Sequence, residues 1–224
     1  MFRPPIEAVL FDLDGLLVDS EQAWYRARQE LATEFGKVWS ESEQRAQAGV
    51  HTDVWVGNVR ACLEGALSSD EVQERIVSKM ESYYLAGEVP LLPGATDCLR
   101  HCSENYKTAL ASGSPRRLIE AALSGARWHS FFDEVISSDE VAKGKPAPDV
   151  YTEVLLRLGV KPEAAVVLED SGAGIRSGKA AGTVVVVVPN PETDPGPVTL
   201  ALADHVLRTV SDFQKIFPVQ HSST

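Results

Sequence analysis

The chain has 224 residues, 44% of them hydrophobic, enough for one sizeable core with room for an inserted subdomain. A net charge of −11 and a pI of about 4.9 create a field that repels nucleic acid and anionic membranes, and no basic run offsets it. The three cysteines, Cys62, Cys98 and Cys102, are odd in number and form no C-x-x-C pair. That pattern argues against a disulfide framework and for a reducing, cytoplasmic setting.

The amino-terminal MFRPPIEAVLF lacks the apolar centre and cleavage site of a signal peptide. The first strand is expected in EAVLF, from Glu7, and three aspartates follow it: Asp12, Asp14 and Asp19. Asp12 and Asp14 are one residue apart, so in an extended segment they point the same way. Two carboxylates at close range repel, and each is costly to desolvate unless a cation or proton relieves it. Asp19, beside Ser20 and ahead of a helical pattern, reads as a helix N-cap.

Helical patterns then run from about Ser20 to Phe35 and through His51 to Leu63. Ser68-x-x-Glu71 is a capping box that opens a helix with Val72, Ile76 and Met80 at spacing four. No convincing strand occurs before Lys107, a gap far longer than an ordinary strand-to-helix crossover. The pattern predicts an all-helical cap domain over residues 20–89, inserted after the first strand of a core formed by residues 1–19 and 90–224. The hinges are expected near Leu16–Ser20 and Gly87–Pro93, where a glycine and prolines suit a boundary. Cys98 and Cys102 share one helix face with apolar neighbours and are read as core packing.

Further along come KTALA (from Lys107), DEVISS (from Asp133), EAAVVLE (from Glu163), TVVVVV (from Thr183) and DHVL (from Asp204). Nearly continuous apolar runs fit strands buried on both faces. The helical stretches PRRLIEAALSGA, PDVYTEVLLRLG and GIRSGKAAG supply the crossovers. The fold class is therefore α/β, a doubly wound parallel sheet with a Rossmann-like core and the helical insertion. TVVVVVP is too short to span a bilayer, and no internal repeat is visible.

In such sheets the binding crevice lies beyond the carboxyl ends of the strands. Those ends carry Asp12 and Asp14; Ser112, Gly113 and Ser114; a loop reaching Lys145; and Glu169 with Asp170. Acidic groups with one lysine suggest a hard-cation site facing an anion, and oxygen ligands favour Mg²⁺. The five histidines are scattered without ligand spacing. SGAGIRSGKAAG fails as a nucleotide loop: Gly172 is one residue too far from Gly178 for a Walker motif, and Ala180 follows Lys179. For G-x-G-x-x-G, Ser177 holds the third glycine's place.

D-x-D-G at Asp12–Gly15, the Ser112 turn, Lys145 before PAPD, and LEDSGAG resemble the haloacid dehalogenase-like superfamily, in that family's order and over nearly the whole chain. The chain is most similar to the branch holding β-phosphoglucomutase and the sugar-phosphate phosphatases, which carry a helical cap at this insertion point. The resemblance implies Asp12 as nucleophile forming an aspartyl-phosphate, and Asp14 as general acid and then base. It implies Mg²⁺ held by the carboxylates of Asp12 and Asp170 and the backbone carbonyl of Asp14, with Glu169 close by. Ser112, Gly113, Ser114 and Lys145 would bind the phosphoryl group or its surroundings, and Gly15 would leave room for close backbone approach.

Two positions depart from the mutase pattern. Trp24 stands where the mutase has a histidine, and a cap arginine gripping a distal phosphate would fall around His51-Thr52, also unmatched. Tryptophan at that place resembles the hexose- and hexitol-phosphate phosphatases, so hydrolysis is expected over isomerisation, with Trp24 touching substrate. Dehalogenation is disfavoured, because that branch does not need the metal cluster. The expected partner is a small phosphorylated metabolite, with no nucleic acid or membrane, and a monomer is expected.

Overall fold

Ala8, Val9, Leu10 and Phe11 have no exposed surface, and the strand they form, β1 (Ala8–Phe11), lies at the centre of the sheet. The computed structural model describes residues 5–45, 52–191 and 195–217. After β1 come four helices: α1 (Glu21–Glu34), α2 (Glu41–Arg45), α3 (Thr52–Cys62) and α4 (Ser69–Leu85). The chain then runs through α5 (Ala95–Asn105), β2 (Lys107–Ser112), α6 (Arg116–Ala126), β3 (Glu134–Ser137) and α7 (Asp149–Leu158). It continues through β4 (Ala165–Glu169), α8 (Gly172–Ala180), β5 (Val184–Val187), α9 (Gly196–Leu200), β6 (His205–Val206) and α10 (Phe213–Ile216).

The six strands are all parallel, in the order β3-β2-β1-β4-β5-β6. Alternate residues of β1 serve different layers. Val9 and Phe11 join a cluster with α5, α6 and the helices between β1 and α5, whereas Ala8 and Leu10 pack with Val150, Tyr151 and Val154 of α7. This two-sided burial is why the strands read as continuous apolar runs. Each expected strand is present. DHVL contributes only two residues, His205 and Val206, which pair with Val186 and Val187 at the sheet edge.

The expected helical patterns form α1, α3 and α4, and Ser68 and Glu71 make the capping box reciprocally. His51 lies outside the described residues. The segments leading into α1 and out of α4 run side by side. Val18 bridges to Leu91 antiparallel, Asp19 N–H donates to the Pro90 carbonyl at 2.8 Å, and Leu92 N–H donates to that of Leu17 at 2.9 Å. This pairing corrects one expectation. Asp19 is held in the two-stranded link, so α1 begins a residue later, with Ser20 as its N-cap and no side-chain cap bond.

Helix α4 lies against α6 so closely that a Cβ built on Gly125 would sit 2.3 Å from the Tyr84 carbonyl oxygen. Arg117 of α6 spans the same seam, donating to Glu74, Ser78 and Glu81 of α4. Arg117 is 41% exposed, so these pairs orient the seam more than they stabilise it.

Gly125→Ala tests this closeness. Helix propensity alone favours alanine by about 1 kcal/mol. Overpacking against an immovable carbonyl costs roughly 1–3 kcal/mol, so we expect net destabilisation in urea unfolding. A variant as stable as the parent or more so would mean that α4 and α6 are not in backbone contact.

Candidate active site

Where β1 ends, its neighbours β2 and β4 end too, which brings three sequence-distant polar segments together. Asp12 continues the ladder for one residue, its N–H donating to the Leu168 carbonyl at 3.1 Å. The loop between β3 and α7, with the Lys145–Pro146 peptide cis, delivers Lys145 into the same space. The Lys145 ammonium donates to Asp12 Oδ1 at 2.6 Å, Glu169 Oε1 at 2.6 Å and the Ala111 carbonyl at 3.0 Å. An ammonium has three protons, so these three acceptors saturate it.

Burial governs the charges here. Desolvation pushes the Asp12 carboxyl up to about 7, against the pull of Lys145 and with the like charges of Glu169 and Asp14 adding to the rise. Burial works to lower Lys145 as well, but the adjacent Asp12 and Glu169 charges more than offset it and hold the lysine protonated. Glu169 is fully engaged. Oε1 also accepts from Tyr151 Oη at 2.8 Å, and Oε2 accepts from the Asp170 and Ser171 amides and from Ser171 Oγ. Ser171 Oγ in turn accepts from Gly174 N–H and caps α8.

Asp12, Glu169 and Asp170 are all buried, and one carboxylate oxygen of each lies within 4.8 Å of the others. Gly15 permits this. Its φ of +80° suits glycine, and a Cβ there would lie 2.2 Å from Asp170 Oδ2. Three hard-oxygen anions against one lysine leave excess negative charge in a desolvated place, so this donor set fits a divalent cation such as Mg²⁺.

Asp12 and Asp14 are near enough for their charges to interact, but they take different hydrogen-bond partners. Strand β1 ends at Phe11, and Asp14 lies in a bridge to Val18, beside the segment that enters the helical insertion. Asp14 Oδ1 accepts from Ser20 Oγ at 2.6 Å and Tyr84 Oη at 3.1 Å, while Oδ2 accepts from Ser114 Oγ at 2.7 Å. Burial and the Asp14 charge raise the Tyr84 phenol well above its ordinary range, so it stays a donor. A linker residue, a residue of α4 and a residue beyond β2 thus hold one carboxylate.

Ser112 closes β2 almost fully buried, and its Oγ accepts from the Ser114 N–H at 3.0 Å. The Ser114 carbonyl accepts from Ser137 Oγ at 2.7 Å, and Gly113 is exposed at the turn between the two serines. Trp24 is half-buried on α1, one turn after Ser20, with its ring centroid 5.9 Å from that of Trp55. Sequence reasoning missed Tyr84, Tyr151 and Asn190, whose Nδ2 donates to the Gly15 carbonyl at 3.2 Å. None of the three belongs to a motif. Asn190 alone was findable, as a polar residue beyond the fifth strand.

The arrangement offers a buried carboxylate beside a lysine, a second carboxylate fixed by three hydroxyls, and a serine–glycine turn at the same rim. Comparisons with known proteins agree with this chemistry. The model of the haloacid dehalogenase-like hydrolases matches residues 6–182. Hexitol phosphatase B of Escherichia coli (strain K12) is 35% identical over 212 residues, covering 92% of this chain and 94% of the relative. A phosphorylated carbohydrates phosphatase of Thermotoga maritima is 33% identical, covering 79% and 82%. Among solved structures, CbbY from Rhodobacter sphaeroides in complex with phosphate superposes with a TM-score of 0.81 at 29% identity, covering 92% of this chain and 96% of that one. Among the described residues, no helix is long and apolar enough to cross a membrane.

Removing the lysine alone should expose the electrostatic cost of this cluster. Lys145→Met leaves Asp12 and Glu169 buried without their cation, and we expect a loss of about 3–5 kcal/mol in unfolding free energy at neutral pH with chelator present. Denaturant unfolding of both proteins measures it. Unchanged stability would show that Lys145 does not neutralise the cluster.

Proposed function

The chain belongs to the haloacid dehalogenase-like hydrolase family and, with relatives named as phosphatases, is a phosphoric monoester hydrolase; we propose that it hydrolyses small phosphorylated metabolites, sugar or polyol phosphates, through an aspartyl-phosphate on Asp12 with Mg²⁺. The observation that carries this reading is the buried Asp12 carboxylate at the end of β1, touching Lys145 and grouped with Glu169 and Asp170. The substrate class follows the relatives, named for hexitol and phosphorylated-carbohydrate phosphatases.

In this reading Asp12 attacks phosphorus, the P–O ester bond breaks, and a proton held on the Asp14 carboxyl passes to the leaving oxygen. Asp14 then takes a proton from water, which attacks the acyl phosphate, releases inorganic phosphate and restores Asp12. Ser112 Oγ and the Gly113 amide hold the phosphoryl oxygens, and Lys145, exchanging one of its three acceptors for the substrate, helps hold them and offsets charge developing on them. Bound by the carboxylates of Asp12 and Asp170 and the Asp14 carbonyl, Mg²⁺ would offset the repulsion between an anionic nucleophile and an anionic substrate. Glu169, already saturated with donors, serves to hold Lys145 and the loop around Asp170.

We assign residues 20–89 to a cap that selects the substrate and residues 1–19 and 90–224 to the catalytic core. The core rim supplies groups for phosphoryl transfer but little to read the rest of a molecule. Helices α1 and α4 reach that rim through Ser20 and Tyr84, and Trp24 stands one turn above Ser20. Closing the cap would exclude water and strengthen the charged contacts within.

The test is phosphate release from a panel of hexose, hexitol and pentulose phosphates, for the parent and Asp12→Asn, with Mg²⁺ or Ca²⁺ after chelation. We expect the parent to turn over with Mg²⁺, Asp12→Asn to fall to background while remaining folded, and Ca²⁺ to restore little. Calcium's longer bonds and looser geometry misplace nucleophile and phosphate. More than trace activity in Asp12→Asn would remove Asp12 as nucleophile. Full activity with Ca²⁺ would refute the in-line geometry. Isomerisation of β-glucose 1-phosphate with a bisphosphate activator, without phosphate release, would instead make the enzyme a mutase.

A further inference from the structure

Arg28 lies one turn beyond Trp24 on α1 and is only 5% exposed. Its Nη1 donates to Gln44 Oε1 at 2.9 Å, its Nε meets no hydrogen-bond partner, and among the described residues no carboxylate stands within ion-pair distance. A guanidinium taken out of water without a touching anion carries a large desolvation penalty. Two aromatic rings take the anion's place. The guanidinium carbon is 5.1 Å from the Trp24 ring centroid and 5.4 Å from that of Trp55, and the two indoles meet at 57°. Contacts of this kind strengthen when the cation is desolvated.

Gln44 fixes the guanidinium in turn. Its Oε1 also accepts from Trp39 Nε1 at 3.2 Å, and its Nε2 donates to Glu21 Oε2 at 3.3 Å. Burial lowers Arg28 to about 10, with Glu21 opposing the shift, so the side chain remains charged at neutral pH. The assembly lies above the site. Ser20 touches Asp14, and Trp24 N–H donates to the Ser20 carbonyl at 3.0 Å, one helical turn along α1. Long helical side chains lean toward the helix N-terminus, so Arg28 reaches back over Trp24 from the side away from Asp14. Trp55 is 6% exposed, which leaves Trp24 as the member of the pair with surface to offer.

We infer that Arg28 is a positioning residue: its guanidinium clamps the Trp24–Trp55 pair so that Trp24 presents a fixed indole face to the uncharged, C–H-bearing skeleton of a sugar or polyol phosphate. This rests on the reading of Trp24 as a substrate contact, and it explains why, among the described residues, the buried guanidinium meets two indoles and no carboxylate within ion-pair distance. The clamp does not touch the phosphoryl group, so it acts on the affinity for the skeleton and not on the chemical step.

The test compares Arg28→Met, which keeps length and loses charge, with Arg28→Lys, which keeps charge and loses the planar fork. One readout is the far-ultraviolet exciton couplet of the close indole pair, with Trp24→Phe as the reference in which it is absent. The other is KM and kcat for the best sugar or polyol phosphate and for p-nitrophenyl phosphate. We expect Arg28→Met to lose most of the couplet and to raise KM for the sugar substrate about tenfold, with kcat and both p-nitrophenyl phosphate parameters within about twofold. Arg28→Lys should fall between parent and Arg28→Met on both readouts. A parental couplet in Arg28→Met, equal losses on both substrates, or a lysine variant no better than the methionine one would each overturn the proposal. Should Arg28→Met not fold, Arg28→Lys decides: a parental couplet with parental KM overturns it. If no sugar or polyol phosphate is turned over, the function proposed above fails while the couplet still decides the clamp.

Discussion

The site depends on one buried lysine between two carboxylates. Lys145 touches Asp12 and Glu169 at 2.6 Å each, with side-chain exposures of 8% for the lysine and 8% and 0% for its partners. Each ion costs several kcal/mol to desolvate, while a close pair at the effective permittivity of a protein site recovers about 4 kcal/mol. The balance is unfavourable for the pair by itself and more so once Asp170 joins. Such a cluster is weak as a stabilising device and strong as a means of holding charge ready for an anion and a cation. Tyr151, the Ala111 carbonyl and the amides after Glu169 surround it with hydrogen bonds, so few orientations remain open to either carboxylate.

The topology explains why this constraint sits where it does. The sheet order runs outward in both directions from β1 and β4, and the crevice between diverging crossovers opens at the carboxyl ends of those strands. Backbone pairing sets Asp12 beside the ends of β2 and β4 before any side chain is considered. Gly15 then lets the chain turn back tightly enough for Asp170 to approach, and Asn190 ties the carbonyl of that turn to the loop after β5.

Asp14 answers to a second set of constraints. Its hydroxyl partners come from the segment entering the helical insertion, from the last turns of α4 and from the turn after β2. The α4–α6 seam, tight at Gly125, sets where Tyr84 can stand. The position of the helices and the position of the proposed general acid are therefore linked through ordinary hydrogen bonds. The aromatic pair clamped by Arg28 extends the same logic away from the phosphoryl group, toward the part of a substrate that distinguishes one phosphate ester from another.

Local pattern determined a great deal about this protein. Apolar runs marked all six strands, though the edge strands β3 and β6 are only partly buried, turn residues marked their ends, and the polar clusters at those ends named Asp12, Asp14, Ser112, Lys145, Glu169 and Asp170 as neighbours. Strand and helix periods are short-range properties, so a sequence carries them openly. The tertiary structure alone decided the partners. Lys145 meets Asp12 across 133 residues and Tyr84 meets Asp14 across 70, separations over which no periodicity speaks. It also gave Asp12 and Asp14 different partners, placed the N-cap of α1 at Ser20 and not Asp19, saturated Glu169 with donors and buried Arg28 against two indoles. Each outcome depends on which elements approach in space and how closely, and only the packed backbone sets that.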